Sequence, residues 1–306
     1  MKFLLIDKRK RVGELDSQHY AVQRIQQVLE GKGIAHEFCH FDEILMTTEA
    51  EKPQLYAKNQ PLTEYSHIIM RGHRPNEYQI KQLIVSFASQ NNIKVLNSEF
   101  IKIMPDYNKI VQMELMTQNG IAYLDSCYRL DGQYHLDKTA IKKIGFPLIY
   151  KHIYGEYRLE KIDGEFKTKK NIFLIKDINS LKQQCTERKD PQKYFIQKFV
   201  DIGEDVRMIL IKGKFLSGWK RKATRNFLTV SKGEYSLLEN PEKELLKLAE
   251  DTASLFRADY CAIDIIYSDN KPYVLEINMD PGFKAFETKI EGSNVDVAEE
   301  IVESVL

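Results

Sequence analysis

Two apolar β runs, Tyr260 to Tyr267 and Tyr273 to Asn278, flank a polar break at Ser268 to Pro272, and this pairing constrains the chain more than any other feature. It reads as a hairpin whose strands carry Asp264, Glu276 and Asn278 where packing would favour apolar residues. A turn centred on Asn270 sets Asp264 opposite Glu276, with Asn278 two residues further on and so on the same face. Like charges held about 5 Å apart across a sheet repel unless something positive lies between them. A hard divalent cation suits that gap, because Mg2+ binds carboxylate and amide oxygens and takes its other ligands from water and substrate phosphates. A solvated surface hairpin, or a carboxylate paired to a nearby lysine, would answer the same pattern.

With 306 residues the chain can bury a sizeable core, and its length predicts two domains or three small ones. Lys and Arg number 45 against 44 Asp and Glu, so any basic site is local and the whole is no polyanion binder. Cys39, Cys127, Cys185 and Cys261 are far apart, and Met1-Lys2 runs directly into the strand-like Phe3-Leu4-Leu5-Ile6. Both features point to a reducing, cytoplasmic setting without a secretory leader. Apolar runs fall well short of the roughly 20 residues of a membrane span, so no membrane partner is expected.

Strands at Phe3 to Ile6, Ala35 to Phe41, His67 to Met70 and Lys94 to Leu96 alternate with helices at His19 to Glu30 and Asn76 to Asn91. This is the signature of a small parallel α/β sheet over residues 1–98, with ligands expected at the carboxyl ends of its strands. Arg71 falls at such an end, where it would meet an anionic substrate or simply cap the surface. A helix is expected from Asp106 to Gln118, then a strand at Phe146 to His152 and antiparallel β-structure to Ile175, with turns at Tyr154-Gly155-Glu156 and Asp163-Gly164. A helix from Ile178 to Arg188 closes a middle segment, 99–193. The last segment, 194–306, opens with the strand Tyr194 to Phe199 and holds helices at Pro241 to Phe256 and Val295 to Leu306. The fold class is thus an α/β front followed by α+β halves.

Lys151 lies among Leu148, Ile149, Tyr150 and Ile153 and is costly to bury without an anion, either a phosphate or a structural carboxylate. Lys109, near a helix start, would by itself be surface charge. Phe195 to Val200, followed by the turn Asp201 to Asp205, can offer backbone groups to a planar base. Arg207 lies in the alternating run Val206 to Leu210, and its face is open from sequence alone. Trp219 to Arg225 is the densest basic cluster; near-zero net charge favours a phosphate or carboxylate clamp over nucleic acid. His36, Cys39, His40 and Asp42 alternate along a strand, which splits them between faces and argues against a metal site.

Asp264, Glu276 and Asn278, taken with Lys109, Lys151 and the Gln197 to Arg207 segment, resemble the ATP-grasp superfamily, and within it the RimK-like amino-acid (carboxylate-amine) ligases. The most specific stretch is Val274 to Phe283, similar to that branch's V-x-E-x-N-x-x-P-G-x signature. Asn294 to Ala298, Leu96-Asn97-Ser98, Asn108-Lys109 and Ile69 to Gly72 extend the likeness over nearly the whole chain. It implies an ATP-grasp fold with an N-terminal Rossmann-like (pre-ATP-grasp) domain and the nucleotide bound between two α+β subdomains. Lys109 and Lys151 would hold the ATP phosphates, Gln197, Lys198, Phe199 and Val200 would frame the adenine, and Asp264, Glu276 and Asn278 would bind two Mg2+ ions, with Mn2+ able to replace them. Asp205 and Arg207 match the family's D-x-R element beside the phosphates and acceptor, and Lys220, Arg221 and Arg225 join Arg71 as candidate substrate contacts. The implied reaction is amide formation through an acyl phosphate, on an amino acid or peptide, by a protein free to form a homo-oligomer. A small-molecule kinase and a nucleotide-binding module without turnover are the alternatives, the latter because His152 to Arg158 holds a single glycine, Gly155, where the family has a glycine-rich loop.

Overall fold

The structure, a computed structural model, describes the chain apart from residues 10–19, 50–51, 73–74, 156, 163–164, 202 and 224–232. The Asp163-Gly164 turn, Glu156 and Arg225 therefore lie outside the described residues.

The chain opens with β1 (Lys2–Asp7), α1 (Tyr20–Gly31) and β2 (Ala35–His40), continues with β3 (Ile44–Glu49), β4 (Lys52–Ala57) and β5 (Gln60–Pro61), and returns through β6 (His67–Met70), α2 (Pro75–Gln90) and β7 (Lys94–Val95). β1, β2, β6 and β7 form the expected parallel sheet in the order β2-β1-β6-β7. Phe3, Leu4, Leu5 and Ile6 are all buried, as befits a strand covered on both faces. The antiparallel sheet β3-β4-β5 is an addition to the sequence reading. Its edge strand exposes Leu45 and Met46 side by side, and that breaks the period-two pattern by which strands are recognised.

Next come α3 (Ser98–Ile103) and α4 (Lys109–Gln118). The helix expected from Asp106 starts at Lys109, because Asn108 is extended and its side chain accepts from the N–H groups of Ile110 and Val111, each at 3.0 Å. The middle unit consists of β8 (Ser126–Cys127), α5 (Lys138–Ile144), β9 (Leu148–His152), β10 (Tyr157–Ile162), β11 (Glu165–Lys170), β12 (Ile172–Ile175), α6 (Ile178–Glu187) and β13 (Tyr194–Lys198). Its main sheet runs β12-β9-β13-β8, and β10 and β11 pair as a separate two-stranded sheet. β13, where the last segment was expected to open, is thus bonded into the middle sheet.

The remainder is β14 (Glu204–Ile211), β15 (Lys214–Ala223), β16 (Gly233–Leu237), α7 (Lys243–Leu255), β17 (Tyr260–Ser268), β18 (Lys271–Asn278), α8 (Lys284–Lys289) and α9 (Val297–Val305). Its antiparallel sheet has the order β16-β15-β14-β17-β18. One face, with Val206, Met208, Leu210, Ile263, Ile265, Val274 and Ile277, shares a core with Leu4, Ile6, Ile68 and Met70 of the front sheet. The other face is apolar at one end, where Ile209, Trp219 and Tyr260 join α1, α8 and α9. The middle sheet keeps a separate core around Leu148, Tyr150, Leu181, Tyr194 and Ile196. Front and last units are therefore joined through shared cores, whereas the middle sheet packs around its own. No helix among the described residues is long and apolar enough to cross a membrane.

Candidate active site

The polar end of the last sheet's second face holds the functional side chains in cross-strand register: Arg207 opposes Asp264, and Asp264 opposes Glu276. The alternation of Val206, Met208 and Leu210 into the core leaves Arg207 on the site face, which settles its orientation. The turn of the hairpin is Asp269-Asn270, both with positive φ, closed by the Ser268–Lys271 pair. Such a two-residue turn would by itself set Leu275 against Asp264. A bulge at Leu275 absorbs one residue, and Glu276 and Asn278 thereby face the same side as Asp264.

The facing carboxylates are compensated by side-chain cations. Arg207 donates from Nε and Nη2 to the two oxygens of Asp264, both at 2.6 Å, and Arg221 Nη2 lies 3.2 Å from Asp264 Oδ1. Arg221 also grips Asp205, with Nε 2.7 Å from Oδ1. Lys109 Nζ forms an ion pair with Glu276 Oε2, and Asn278 Nδ2 donates to Glu276 Oε1 at 3.3 Å. Burial alone would raise the pKa of Asp264, but Arg207 and Arg221 outweigh it and hold the carboxyl below its usual range. Asp205 is pushed up by burial, which its Arg221 partner only partly offsets. Gly218 lets β15 approach: a Cβ there would sit 2.7 Å from the Arg207 carbonyl oxygen.

On the middle sheet, Leu148 and Tyr150 enter the core and leave Lys151 on the other face of β9. Lys151 Nζ donates to Gln197 Oε1 at 2.7 Å and lies 5.0 Å from the centre of the Phe195 ring, while Gln197 Nε2 donates to Ser126 Oγ at 2.9 Å. The two halves meet at Lys109, whose N–H donates to the Ile153 carbonyl at 2.9 Å, two residues past Lys151. Gly155 lies over Lys109, its Cβ position 3.6 Å from Nζ. Exposed Lys198 ends β13, half-buried Phe199 and Val200 follow it towards β14, and the Lys198 N–H donates to the Asp125 carbonyl at 2.8 Å.

The expected substrate contacts do not all converge. Lys220 alternates to the face opposite Arg221 and lies 3.7 Å from Glu204. Arg71 is only 6 % exposed and is engaged by Asp280 and the Pro281 carbonyl, so it is neither a surface cap nor open to a substrate anion. Arg221 is drawn into the carboxylate cluster. Residues missed from sequence include Tyr123, whose buried hydroxyl lies beside Gln197 and within the field of Glu276. Its segment bridges to Val274 of β18, and an isolated tyrosine among Ile121, Ala122 and Leu124 carries no local signal of that contact.

Among the described residues no group of three or more His, Cys, Asp or Glu is placed to hold a metal ion, which includes the His36 to Asp42 stretch. Asp264, Glu276 and Asn278 offer two carboxylates and an amide on one face. That donor set fits Mg2+, whose remaining ligands come from water and phosphate.

The RimK-like ATP-grasp domain description matches residues 106–305. A probable alpha-L-glutamate ligase of Syntrophotalea carbinolica is 23% identical over 290 residues, covering 92% of this chain and 90% of that protein. One from Vibrio vulnificus is 24% identical over 295 residues, covering 94% and 91%. Among solved structures, the ATP-grasp ligase PsnB complexed with minimal precursor superimposes with a TM-score of 0.69 at 16% identity, over 99% of this chain and 98% of that one. A RiPP-associated ATP-grasp ligase of Chryseobacterium gregarium, in complex with ADP and a leader and core peptide, gives 0.65 at 14% identity over 100% and 95%. With the matched domain spanning the middle and last sheets, the chain belongs to the RimK-like ATP-grasp family.

Proposed function

We propose that, within the ATP-dependent, ADP-forming carboxylate-amine ligation that goes with this family, the cleft between the middle and last sheets binds ATP and activates a carboxylate of an amino acid or peptide. The observation that carries the proposal is the row Arg207, Asp264, Glu276 and Lys109, continued across the cleft by Lys151 and Gln197. Asp264, Glu276 and Asn278 would hold Mg2+, which when bound supplies neutralisation of phosphate charge. Lys109, Arg207 and Arg221 balance Asp205, Asp264 and Glu276 in number. A triphosphate of about −4 charge with two divalent ions adds no net charge to such a cluster, which supports a two-ion arrangement.

In this reading Lys109 and Lys151 orient the phosphates. Gln197 holds Lys151 in place, Lys198, Phe199 and Val200 frame the base, and Arg207 stabilises charge on the transferred group beside Asp205. A substrate carboxylate oxygen attacks the γ-phosphorus, and the bond to ADP breaks. An amine nitrogen then attacks the acyl carbon, phosphate departs with the bonding pair, and the nitrogen loses a proton. The test is Mg2+-dependent ADP release against pooled amino acids and short peptides, with mass spectrometry of the product and hydroxylamine as a trap. A hydroxamate with matching ADP supports the ligase, whereas a phosphorylated hydroxyl without hydroxamate identifies a kinase and overturns it.

A further inference from the structure

The strand end that carries Glu276 and Asn278 is held largely by groups outside its own sheet. Tyr107 donates its hydroxyl to the Ile277 carbonyl, and Gln112 makes two bonds to the Ile277 backbone, each at 3.2 Å. Asn97 Nδ2 donates to the carbonyls of Met279 at 2.8 Å and Tyr260 at 2.7 Å, clipping the end of β18 to the start of β17. Next along the chain, Arg71 Nη1 lies 2.6 Å from Asp280 Oδ1, and Nη2 donates to the Pro281 carbonyl at 2.8 Å. Tyr260 donates its hydroxyl to that same carbonyl at 3.0 Å, and the Gly72 N–H donates to Asp280 Oδ2. Arg71 follows β6 directly, its own N–H bonded to the Ile6 carbonyl at 2.7 Å, and buried Lys81 donates to the Gly72 carbonyl. The carboxyl edge of the parallel front sheet thus delivers a fixed guanidinium to the segment that follows the ligand strand.

We propose that Arg71 is a positioning residue for the metal site. By holding Asp280 and the Pro281 carbonyl together it fixes the backbone that aims Glu276 and Asn278, so the front α/β unit sets the affinity of the site for divalent ions. The proposal rests on the ligase reading above. An arginine suits the task because its planar fork spans a carboxylate and a carbonyl at once, which a lysine ammonium does not reproduce. Groups that orient metal ligands from behind commonly change metal affinity or activity by about 10- to 100-fold when removed.

The experiment compares Arg71→Met, Arg71→Lys and, as a stability control that touches no polar group of the site, Ile25→Ala in the core beneath α1. Mn2+ binding to ADP-loaded protein is followed by electron paramagnetic resonance, the Mg2+ dependence of ADP release is measured, and ADP affinity is taken without metal. Arg71→Met is expected to raise the metal concentration for half-saturation about tenfold or more, with metal-free ADP affinity as in the wild type. Arg71→Lys gives a smaller shift in the same direction and carries the test if the Met variant does not fold, while Ile25→Ala lowers the Tm and leaves the metal titration unchanged. Wild-type metal titrations in the Arg71 variants, with only the Tm lowered, overturn the proposal and leave the ligase reading standing. Wild-type protein that neither binds Mn2+ with ADP nor releases ADP removes the ligase reading, and this proposal with it.

Discussion

Lys109, the first residue of α4, is ion-paired with Glu276 on β18, and this contact joins the helix start to the strand that carries the candidate metal ligands. The Glu276 side chain keeps 23% of its surface exposed against 7% for Asp264, so its charge weighs less in folding than that of Asp264. Glu276→Gln is expected to lower Mg2+-dependent ADP release by at least about a hundredfold, with the Tm within a few degrees of wild type. Near-normal release would remove Glu276 from the metal set.

Asp264→Asn behaves differently. Asp264 is 5% exposed and answers two partly buried guanidinium groups, so removing its charge leaves Arg207 and Arg221 undercompensated. A loss of about 3–5 kcal/mol in urea unfolding is expected, along with loss of turnover. A fully stable but inactive Asp264→Asn protein would contradict the structural half of this account.

Lys151→Met keeps the buried stem beside Phe195 and removes the ammonium that Gln197 holds. Loss of a charge-assisted bond to phosphate is worth about 1.5–3 kcal/mol, so ATP affinity by calorimetry should weaken more than about tenfold while the fold persists. Unchanged affinity would place the phosphates elsewhere.

Tyr150 is fully buried, and its hydroxyl has no hydrogen-bond partner among the described residues. Tyr150→Phe removes an uncompensated polar atom from the middle core, with expected stability equal to wild type or greater by up to about 1 kcal/mol. Urea denaturation checks the sign.

Burial, reinforced by Lys193 and Lys109, lowers the pKa of His152 from 6.5 to about 4. Between these values the unfolded chain takes up a proton that the folded chain refuses, so stability falls as pH drops from 6.5 towards 4 and is unaffected by this group above that window. The Tm measured through this range should fall less steeply in His152→Asn, in which an amide oxygen can accept from the Tyr154 N–H in place of Nδ1. Parallel pH profiles for the two proteins would show that His152 is not the group concerned.

The hairpin illustrates how far residues alone can be read. A turn centred on Asn270 pairs Asp264 with Glu276, and that pairing is present, yet the turn is the tighter Asp269-Asn270 and the bulge at Leu275 supplies the missing residue. A bulge is a local loss of pairing compensated by contacts of its surroundings, and Leu275 has no sequence signal of its own. The parallel front sheet was legible because continuous apolar runs such as Phe3 to Ile6 mark strands covered on both faces. The β3-β4-β5 sheet was not, since Leu45 and Met46 break its alternation.

From the order of residues alone came the alternation of strands and helices and the face shared by Glu276 and Asn278, because these follow from periodicities of 3.6 and two. Tertiary structure decided what no local period encodes: that Arg207 faces Asp264, that Lys220 turns away, and that Arg71 grips Asp280 rather than a ligand. Those outcomes depend on which distant segments are brought within about 3 Å of one another: the pairing of β14 with β17 and β15 decides the first two, and the packing of the front sheet against the last one decides the third.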